Sequence, residues 1–225
     1  MQLVIGNKNY SSWSMRPWVL MKQLGIAFDE IRLSFNLGMG AGFGDAMLRY
    51  SPARRVPVLL DEGFAIWDSL AIVEYLHERF PELGVWPADV RARARARSLA
   101  AEMHSGFTAL RSNFPMNVEA RLPEIGARAL AEQPALRKDV ARIESMWAEA
   151  LAASGGPYLF GAWSAADAFY TPVAQRLRTY AVPVAPATHD FAERLLAAPG
   201  AAAWIAGALA EAEFVPDDEP YRKSR

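Results

Sequence analysis

The chain has 225 residues, a formal net charge of −1 and no cysteine. A nearly neutral chain has no bulk electrostatic attraction for nucleic acid or for an acidic membrane surface, so we expect neither as a partner. Without cysteine the chain cannot form disulfides, thiolate-ligated metal sites or a Cys-x-x-Cys redox pair, so any thiol chemistry must use a thiol from a ligand. The three histidines have no carboxylate at ligand spacing, so no metal site is expected.

The hydropathy of the chain predicts a soluble cytoplasmic protein. The first ten residues are too polar for a secretory signal peptide. No apolar run approaches the roughly 20 residues that a membrane helix requires. The length is sufficient for one large domain or two modest ones.

The first third of the chain predicts a mixed four-stranded sheet with helices on both faces. In chain order we expect a strand at Leu3–Ile5, a helix at Ser14–Leu24, a strand at Phe28–Leu33 and a hairpin of Val56–Leu60 and Phe64–Trp67. Strand, helix and strand with short connections make a parallel pair, whereas the hairpin is antiparallel. The glycine-rich residues 34–44 predict a mobile connector, or a lid, that leads into a short helix at Asp45–Tyr50.

A helix follows the hairpin, and its start has the features of an anion site. Asp68 and Ser69 are residue types that cap helices, and apolar residues follow them at helical spacing up to Phe80. Free backbone N–H groups at a helix N-terminus favour a bound anion. Pro57 stands at the start of a strand, where it gives up a ladder hydrogen bond.

The remainder of the chain predicts an all-helical domain. Gly84 and Pro87 mark a linker, so the expected domains are 1–82 and 89–225 with a linker at 83–88. The predicted helices are Ala88–Asn113, Pro123–Ser154 with a possible break near Pro134, Ala165–Tyr180, His189–Ala198 and Ala201–Glu211. Ser164 and Asp167 have the spacing of a capping box. The last dozen residues are expected to form a surface tail.

Three serines lie between the first strand and the first helix: Ser11, Ser12 and Ser14. The backbone N–H groups and the dipole of a helix N-terminus favour negative charge there, and they would lower the pKa of a ligand's thiol. A serine hydroxyl would donate one more hydrogen bond to the thiolate. The alternative is that these serines only cap the helix and form the turn.

The segment Arg55–Phe80 resembles the end of the thioredoxin-like domain of glutathione transferases, because hairpin, proline, acid–serine pair and apolar helix stripe follow in the same order. The Ser-Ser-x-Ser-x-Arg run from Ser11 is similar to the catalytic segment of serine-type members, closest to the zeta class, which includes maleylacetoacetate isomerases. The resemblance implies a thioredoxin-like α/β domain followed by an all-α helical-bundle domain. It also implies a cis Val56–Pro57 bond, with the backbone of Val56 pairing with the cysteinyl part of glutathione. Asp68 and Ser69 would hold the γ-glutamyl end.

The thiol-activating serine maps to Ser11, or to Ser12 if the register shifts by one residue. Tyr10 is the remaining candidate, since tyrosine has this role in other classes. The chain departs from the zeta pattern at Trp13, where that class has cysteine. Arg55 and Asp68 stand where that class has glutamine. These departures argue against isomerase activity but not against glutathione binding, and Arg55 remains in the expected glutathione site.

The long helix after the linker carries Met103, His104, Phe107 and Arg111, which would share one face. In the family this helix forms a wall of the site for the electrophilic co-substrate, and His104 could also donate a proton. The alternative is core packing for Met103 and Phe107 and an ion pair for Arg111. Arginines that alternate with alanine in 91–97 spread around the same helix, and the resemblance implies that it contributes to a homodimer.

The sequence thus predicts a glutathione transferase that binds glutathione as co-substrate and an electrophilic small molecule. One alternative is glutathione-dependent cis–trans isomerisation of a maleyl-type diacid, with Arg111 or Arg55 holding a carboxylate. The other is a transferase-like binding protein without turnover.

Overall fold

The computed structural model describes residues 1–37 and 41–225. Its four-stranded sheet has the order β2-β1-β3-β4. The strands are β1 Gln2–Ile5, β2 Asp29–Arg32, β3 Val58–Asp61 and β4 Phe64–Ile66. β1 pairs in parallel with β2 and antiparallel with β3, which pairs antiparallel with β4. The predicted mixed sheet and its hairpin are confirmed.

Alternate residues of β1 point to opposite faces of the sheet, as a strand requires. Leu3 and Ile5 belong to the main hydrophobic core. Val4 belongs to a smaller cluster that includes Phe43 and Met47. The sheet is therefore covered on both faces.

The N-terminal half contains α1 Ser12–Gln23, α2 Ala41–Met47 and α3 Ser69–Arg79. α1 begins earlier than the sequence predicted, because Ser11 takes the N-cap position. The short helix predicted at Asp45–Tyr50 also begins earlier. The central part of the predicted glycine-rich connector, residues 38–40, lies outside the described residues.

The C-terminal half is helical, as predicted. Its helices are α4 Val90–Ser105, α5 Thr108–Asn113, α6 Pro123–Glu132, α7 Pro134–Ser154, α8 Ala165–Thr179, α9 Pro186–Ala197 and α10 Pro199–Glu211. The break at Pro134 is confirmed, and proline at the first turn of α9 and α10 explains their earlier starts. The single helix predicted over Ala88–Asn113 was wrong. Gly106 is extended and Phe107 has a positive φ of 50°, so the chain turns there between α4 and α5.

The two halves share one hydrophobic core. α1 packs against α8 and α10, and the rings of Trp18 and Trp204 meet edge to face at 5.3 Å. The indole N–H of Trp204 donates to the carbonyl of Lys8 at 3.0 Å. No helix in the described ranges has the length and apolar character needed to cross a membrane.

The C-terminal segment packs on the body of the protein, so the predicted surface tail was wrong. Val215 and Glu219 are buried. The Glu219 carboxylate accepts hydrogen bonds from the Tyr10 hydroxyl and from the Asn117 side chain, both at 2.8 Å. These partners are distant in sequence, so composition alone gave no sign of them.

The predicted capping box at the start of α8 is present. The Asp167 carboxylate accepts from the N–H groups of Ser164 at 2.9 Å and Leu159 at 3.1 Å. Asp167→Ala is expected to lower the free energy of unfolding by about 3 kcal/mol, because it leaves these buried donors without acceptors. Urea unfolding would measure the loss. Asp190→Ala, which removes an exposed carboxylate from α9, is the control, and equal losses would contradict the capping role.

Candidate active site

A cavity of about 630 Å³ lies where the N-termini of α1 and α3 meet the loop before β3. The residues that line it include every residue predicted for thiol activation and for glutathione: Ser11, Ser12, Arg55, Val56, Pro57, Asp68 and Ser69. Three separate chain segments therefore converge on one cavity. Its lining combines serine hydroxyls, arginines and carboxylates with aromatic side chains.

The two candidate serines have different hydrogen-bond partners. Ser11 is the N-cap of α1, but its side chain does not cap the helix. Its hydroxyl instead forms a hydrogen bond with the Ser14 hydroxyl at 2.7 Å, and the Ser14 oxygen also accepts from the Gly6 N–H at 3.3 Å. The Ser12 hydroxyl accepts from Nη2 of Arg176 at 3.1 Å. Both serines are nearly buried at the cavity wall.

Tyr10 also lines the cavity, but its hydroxyl is held by the C-terminal segment. It donates to Glu219 at 2.8 Å and accepts from the Val215 N–H at 3.3 Å. Burial and the hydrogen bond to Glu219 raise the pKa of Tyr10 to about 12. The phenol therefore stays protonated at neutral pH, and its proton is already donated to Glu219.

The loop before β3 presents free backbone groups to the cavity. The Val56–Pro57 bond is cis, as the resemblance implied. Within the described residues, neither the N–H nor the carbonyl of Val56 has a backbone partner. Arg55 is exposed at this edge, and its neighbour Arg54 pairs with Asp45 at 3.2 Å.

The N-terminus of α3 combines a carboxylate with an unpartnered hydroxyl. Asp68 caps the helix, since its Oδ1 accepts from the Leu70 N–H at 2.8 Å. Its Oδ2 lies 3.3 Å from Nε2 of His104. Ser69 is 1% exposed, and its Oγ has no hydrogen-bond partner among the described residues. A buried hydroxyl without a partner at a helix N-terminus is a ready donor to an anion.

His104 on α4 contacts the Asp68 carboxylate. Burial lowers the pKa of His104, Asp68 opposes the change, and Arg16 and Arg111 lower the pKa further. The imidazole is therefore neutral at neutral pH. Its ring meets Trp13 edge to face at 5.0 Å, which ties α4 to the first turn of α1.

The predicted electrophile wall is not assembled as a single helix face, because the chain turns between α4 and α5. Met103 is fully buried and Phe107 nearly so, which agrees with the core-packing alternative. The Arg111 guanidinium lies 5.4 Å from the centre of the Trp13 ring and donates to the carbonyl of His104. None of the four predicted residues is among those that line the cavity.

Three charged residues at or below the cavity were missed by sequence reasoning. Arg16 and Arg176 are fully buried cations below the first turn of α1. Asp218 lines the cavity from the C-terminal segment, and its Oδ2 is buried without a partner among the described residues. Burial, with the charges of Asp217 and Glu219, raises the pKa of Asp218 to about 6. Only Arg16 left a signal, as the last residue of the Ser-Ser-x-Ser-x-Arg run.

Comparison with known proteins gives the same family for both halves of the chain. The model of the glutathione S-transferase N-terminal domain matches residues 10–79, and that of the C-terminal domain matches residues 118–207. A glutathione transferase homologue from Burkholderia, solved with bound glutathione, superposes with a TM-score of 0.71 at 25% identity. That superposition covers 93% of this chain and 98% of the other. The chain belongs to the glutathione S-transferase family.

Curated relatives include glutathione S-transferases and maleylacetoacetate isomerases. Mouse glutathione S-transferase theta-1 is 35% identical over 105 residues, which are 43% of this chain and 44% of the relative. Maleylacetoacetate isomerase of Pseudomonas aeruginosa is 33% identical over 102 residues, 45% of this chain and 47% of the relative. The chain thus matches less than half the length of these relatives.

Proposed function

We propose that this protein is a glutathione transferase that ionises glutathione in the 630 Å³ cavity and directs the thiolate to an electrophilic small molecule. The observation that carries the proposal is the convergence of three features on that cavity. They are the hydroxyls at the N-terminus of α1, the free backbone of Val56, and the unpartnered buried hydroxyl of Ser69. The relatives and the glutathione-bound neighbour support the same ligand.

Each part of glutathione has a chemical complement in the cavity. The γ-glutamyl ammonium suits the Asp68 carboxylate, and the adjacent carboxylate suits the Ser69 hydroxyl with the N–H groups of α3. The cysteinyl backbone can pair with the N–H and carbonyl of Val56. The exposed Arg55 guanidinium at the edge suits the glycyl carboxylate. The sulfur then lies at the N-terminus of α1.

The chemical step needs a thiolate and correct positioning. The N-terminal dipole of α1 and a serine hydroxyl stabilise the thiolate, and the thiol proton leaves to solvent. The sulfur then forms a bond with the electrophilic carbon, and the electron pair moves to a leaving group or an adjacent acceptor. Holding both reactants together supplies most of the remaining acceleration.

Product analysis tests this function. The purified protein is incubated with glutathione and either an aryl halide or a maleyl diacid, and products are identified by mass. A product that contains glutathione supports the transferase. Isomerised diacid without attached glutathione supports the alternative favoured by the isomerase relatives. Glutathione binding without either product would leave a non-catalytic binding protein.

We also propose that the protein is a homodimer and that it is located in the cytoplasm. On the edge strand β4, Phe64 is 65% exposed, and the nearby Trp67 is 42% exposed. Acidic Glu74 and Glu78 flank this surface. A groove of about 410 Å³ between α4 and α7 combines an apolar floor with Arg95, Arg142 and Glu149. Large exposed aromatics on an edge strand, with a partly apolar groove elsewhere, suit contact between two copies.

Phe64→Glu is expected to convert this dimer to a monomer, because it places a charge at the apolar centre of the contact. Sedimentation velocity at micromolar concentration would measure the change. Leu209→Glu, at an exposed position on α10, should leave the dimer intact. A monomeric wild-type protein, or a dimer that Phe64→Glu does not weaken, would contradict the proposed contact.

A further inference from the structure

We propose that Asp218 selects the second substrate, and that this substrate is an electrophile with a cationic group, such as a protonated amine, close to its reactive carbon. This inference rests on the proposed function, because it concerns the part of the cavity that glutathione leaves free. It names a substrate class and the residue that recognises it.

The C-terminal segment brings Asp218 to the start of α1. The Tyr10 hydroxyl accepts from the Val215 N–H at 3.3 Å and donates to Glu219 at 2.8 Å. Residues 216–218 lie between these two contacts, so the segment is held beside Tyr10. Tyr10 immediately precedes Ser11, and this end of α1 is the proposed position of the glutathione sulfur. A group bonded to that sulfur would therefore be close to Asp218.

One oxygen of Asp218 lacks a partner. Its Oδ2 is buried at the cavity and has no hydrogen-bond donor among the described residues. The acidic residues on either side differ from it, because Asp217 is exposed and Glu219 is satisfied by its own hydrogen bonds. A buried carboxylate oxygen without a donor costs free energy. A ligand that brings a donor with a positive charge would remove that cost.

Glutathione has no use for this carboxylate in the proposed binding mode. Within the described part of the chain, the charged residues that line the cavity are Arg54, Arg55, Asp68 and Asp218. Arg54 pairs with Asp45 at 3.2 Å, while Arg55 and Asp68 are the proposed partners of the glycyl carboxylate and the γ-glutamyl ammonium. Asp218 therefore remains for the second substrate. Because charged donors form stronger hydrogen bonds to a carboxylate than neutral donors do, a cationic group suits it best.

The charge state of Asp218 agrees with this role. Burial, with the charges of Asp217 and Glu219, raises the pKa of Asp218 to about 6, so most of the carboxyl is ionised at neutral pH. The neighbouring Tyr10 and Arg222 both contact Glu219 and leave the charge of Asp218 unpaired. A bound ammonium group would favour the ionised carboxylate further.

Aromatic side chains complete the lining that such a substrate would contact. Tyr10, Trp13, Phe35 and Phe43 line the cavity together with Asp218, and the rings of Phe35 and Phe43 meet edge to face at 5.0 Å. Aromatic rings bury the carbon chain of a substrate and attract cations through their faces. This lining therefore suits an amine on a short carbon chain.

Isosteric pairs of glutathione conjugates test the assignment by calorimetric titration at neutral pH. S-aminoethylglutathione and S-propylglutathione differ only by an ammonium in place of a methyl group, and the S-aminobutyl and S-pentyl compounds form a longer pair. The wild type should bind at least one amino compound about tenfold more tightly than its alkyl partner. Asp218→Asn keeps the size of the side chain and should abolish this preference. Asp217→Asn removes the same charge from the exposed neighbour and should retain the preference.

Asp218→Asn is expected to fold as well as the wild type. Because the pKa of Asp218 is raised in the folded protein, ionisation of this carboxyl lowers the free energy of unfolding at neutral pH. The substitution removes that cost, so urea unfolding should show no loss of stability. Unchanged affinity for S-propylglutathione is the expected sign that the glutathione site is intact.

The alkyl compounds separate this inference from the proposed function. If the wild type binds neither S-propylglutathione nor S-methylglutathione, the glutathione site itself fails. If it binds both but shows no preference for either amino compound, or if Asp218→Asn retains the preference, the role of Asp218 is overturned. Equal weakening of both members of a pair by Asp218→Asn would also overturn it, because the residue would then contact glutathione itself.

Discussion

Replacing Asp68 with alanine is expected to weaken glutathione binding about 100-fold, which corresponds to about 2.7 kcal/mol. The substitution removes the carboxylate proposed to pair with the ligand's ammonium group. It also removes the cap of α3, because Oδ1 of Asp68 accepts from the Leu70 N–H at 2.8 Å. The N-terminus of that helix is the proposed site of the ligand's carboxylate, so both charged groups lose support. Calorimetric titration would measure the affinity.

Two variants separate binding from helix capping. Asp68→Asn keeps an acceptor for the cap but removes the charge, so a loss of about tenfold is expected. Asp89→Ala removes an equivalent cap from α4, where Asp89 accepts from the N–H groups of Arg91 and Ala92. It should lower stability without changing affinity. An Asp68→Ala protein that binds glutathione within threefold of wild type would contradict the proposed contact.

Replacing Glu219 with alanine is expected to lower the free energy of unfolding by about 3 kcal/mol, because it breaks a buried ion pair and leaves its partners unsatisfied. The Glu219 carboxylate is 1% exposed and accepts from Tyr10 and Asn117, while Arg222 Nε donates to its second oxygen at 2.9 Å. The C-terminal segment should then leave the cavity wall, since these contacts attach it to the turn before α1 and to the loop after α5.

Urea unfolding and limited proteolysis near the C-terminus would measure this effect. Faster cleavage after Phe214 or Tyr221 is expected in Glu219→Ala. Asp217→Ala, which removes the exposed neighbouring carboxylate, should behave like the wild type. A loss below 1 kcal/mol, with unchanged cleavage, would show that the segment is held by other contacts.

Local patterns were sufficient for much of the fold. The alternation in the strands and the Asp61–Gly63 turn predicted the sheet, and the spacing of Ser164 and Asp167 predicted the capping box. The break between α4 and α5 was missed because Phe107 adopts a positive φ, which is uncommon for a bulky residue. Without that turn, the four residues predicted for the electrophile wall would have shared a helix face.

The sequence predicted which short motifs meet at the cavity, because the serines and the Asp68–Ser69 pair each lie within a few residues of a helix start. The burial of Arg16 and Arg176 below this site could not be predicted. Arg176 stands among other polar residues of α8, such as Gln175 and Arg178, and only the packing of α8 against α1 places it behind Ser12. Asp218 and Glu219 were hidden by a polar composition that is typical of exposed tails.

The most direct test of the central claim is calorimetric titration of the purified protein with glutathione and, separately, with S-methylglutathione. Saturable binding of both is expected, because the γ-glutamyl and cysteinyl contacts do not involve the thiol proton. The free thiol should bind more tightly and release a proton, since the cations below α1 favour its ionised form. No binding of either compound would contradict the assignment of this cavity to glutathione.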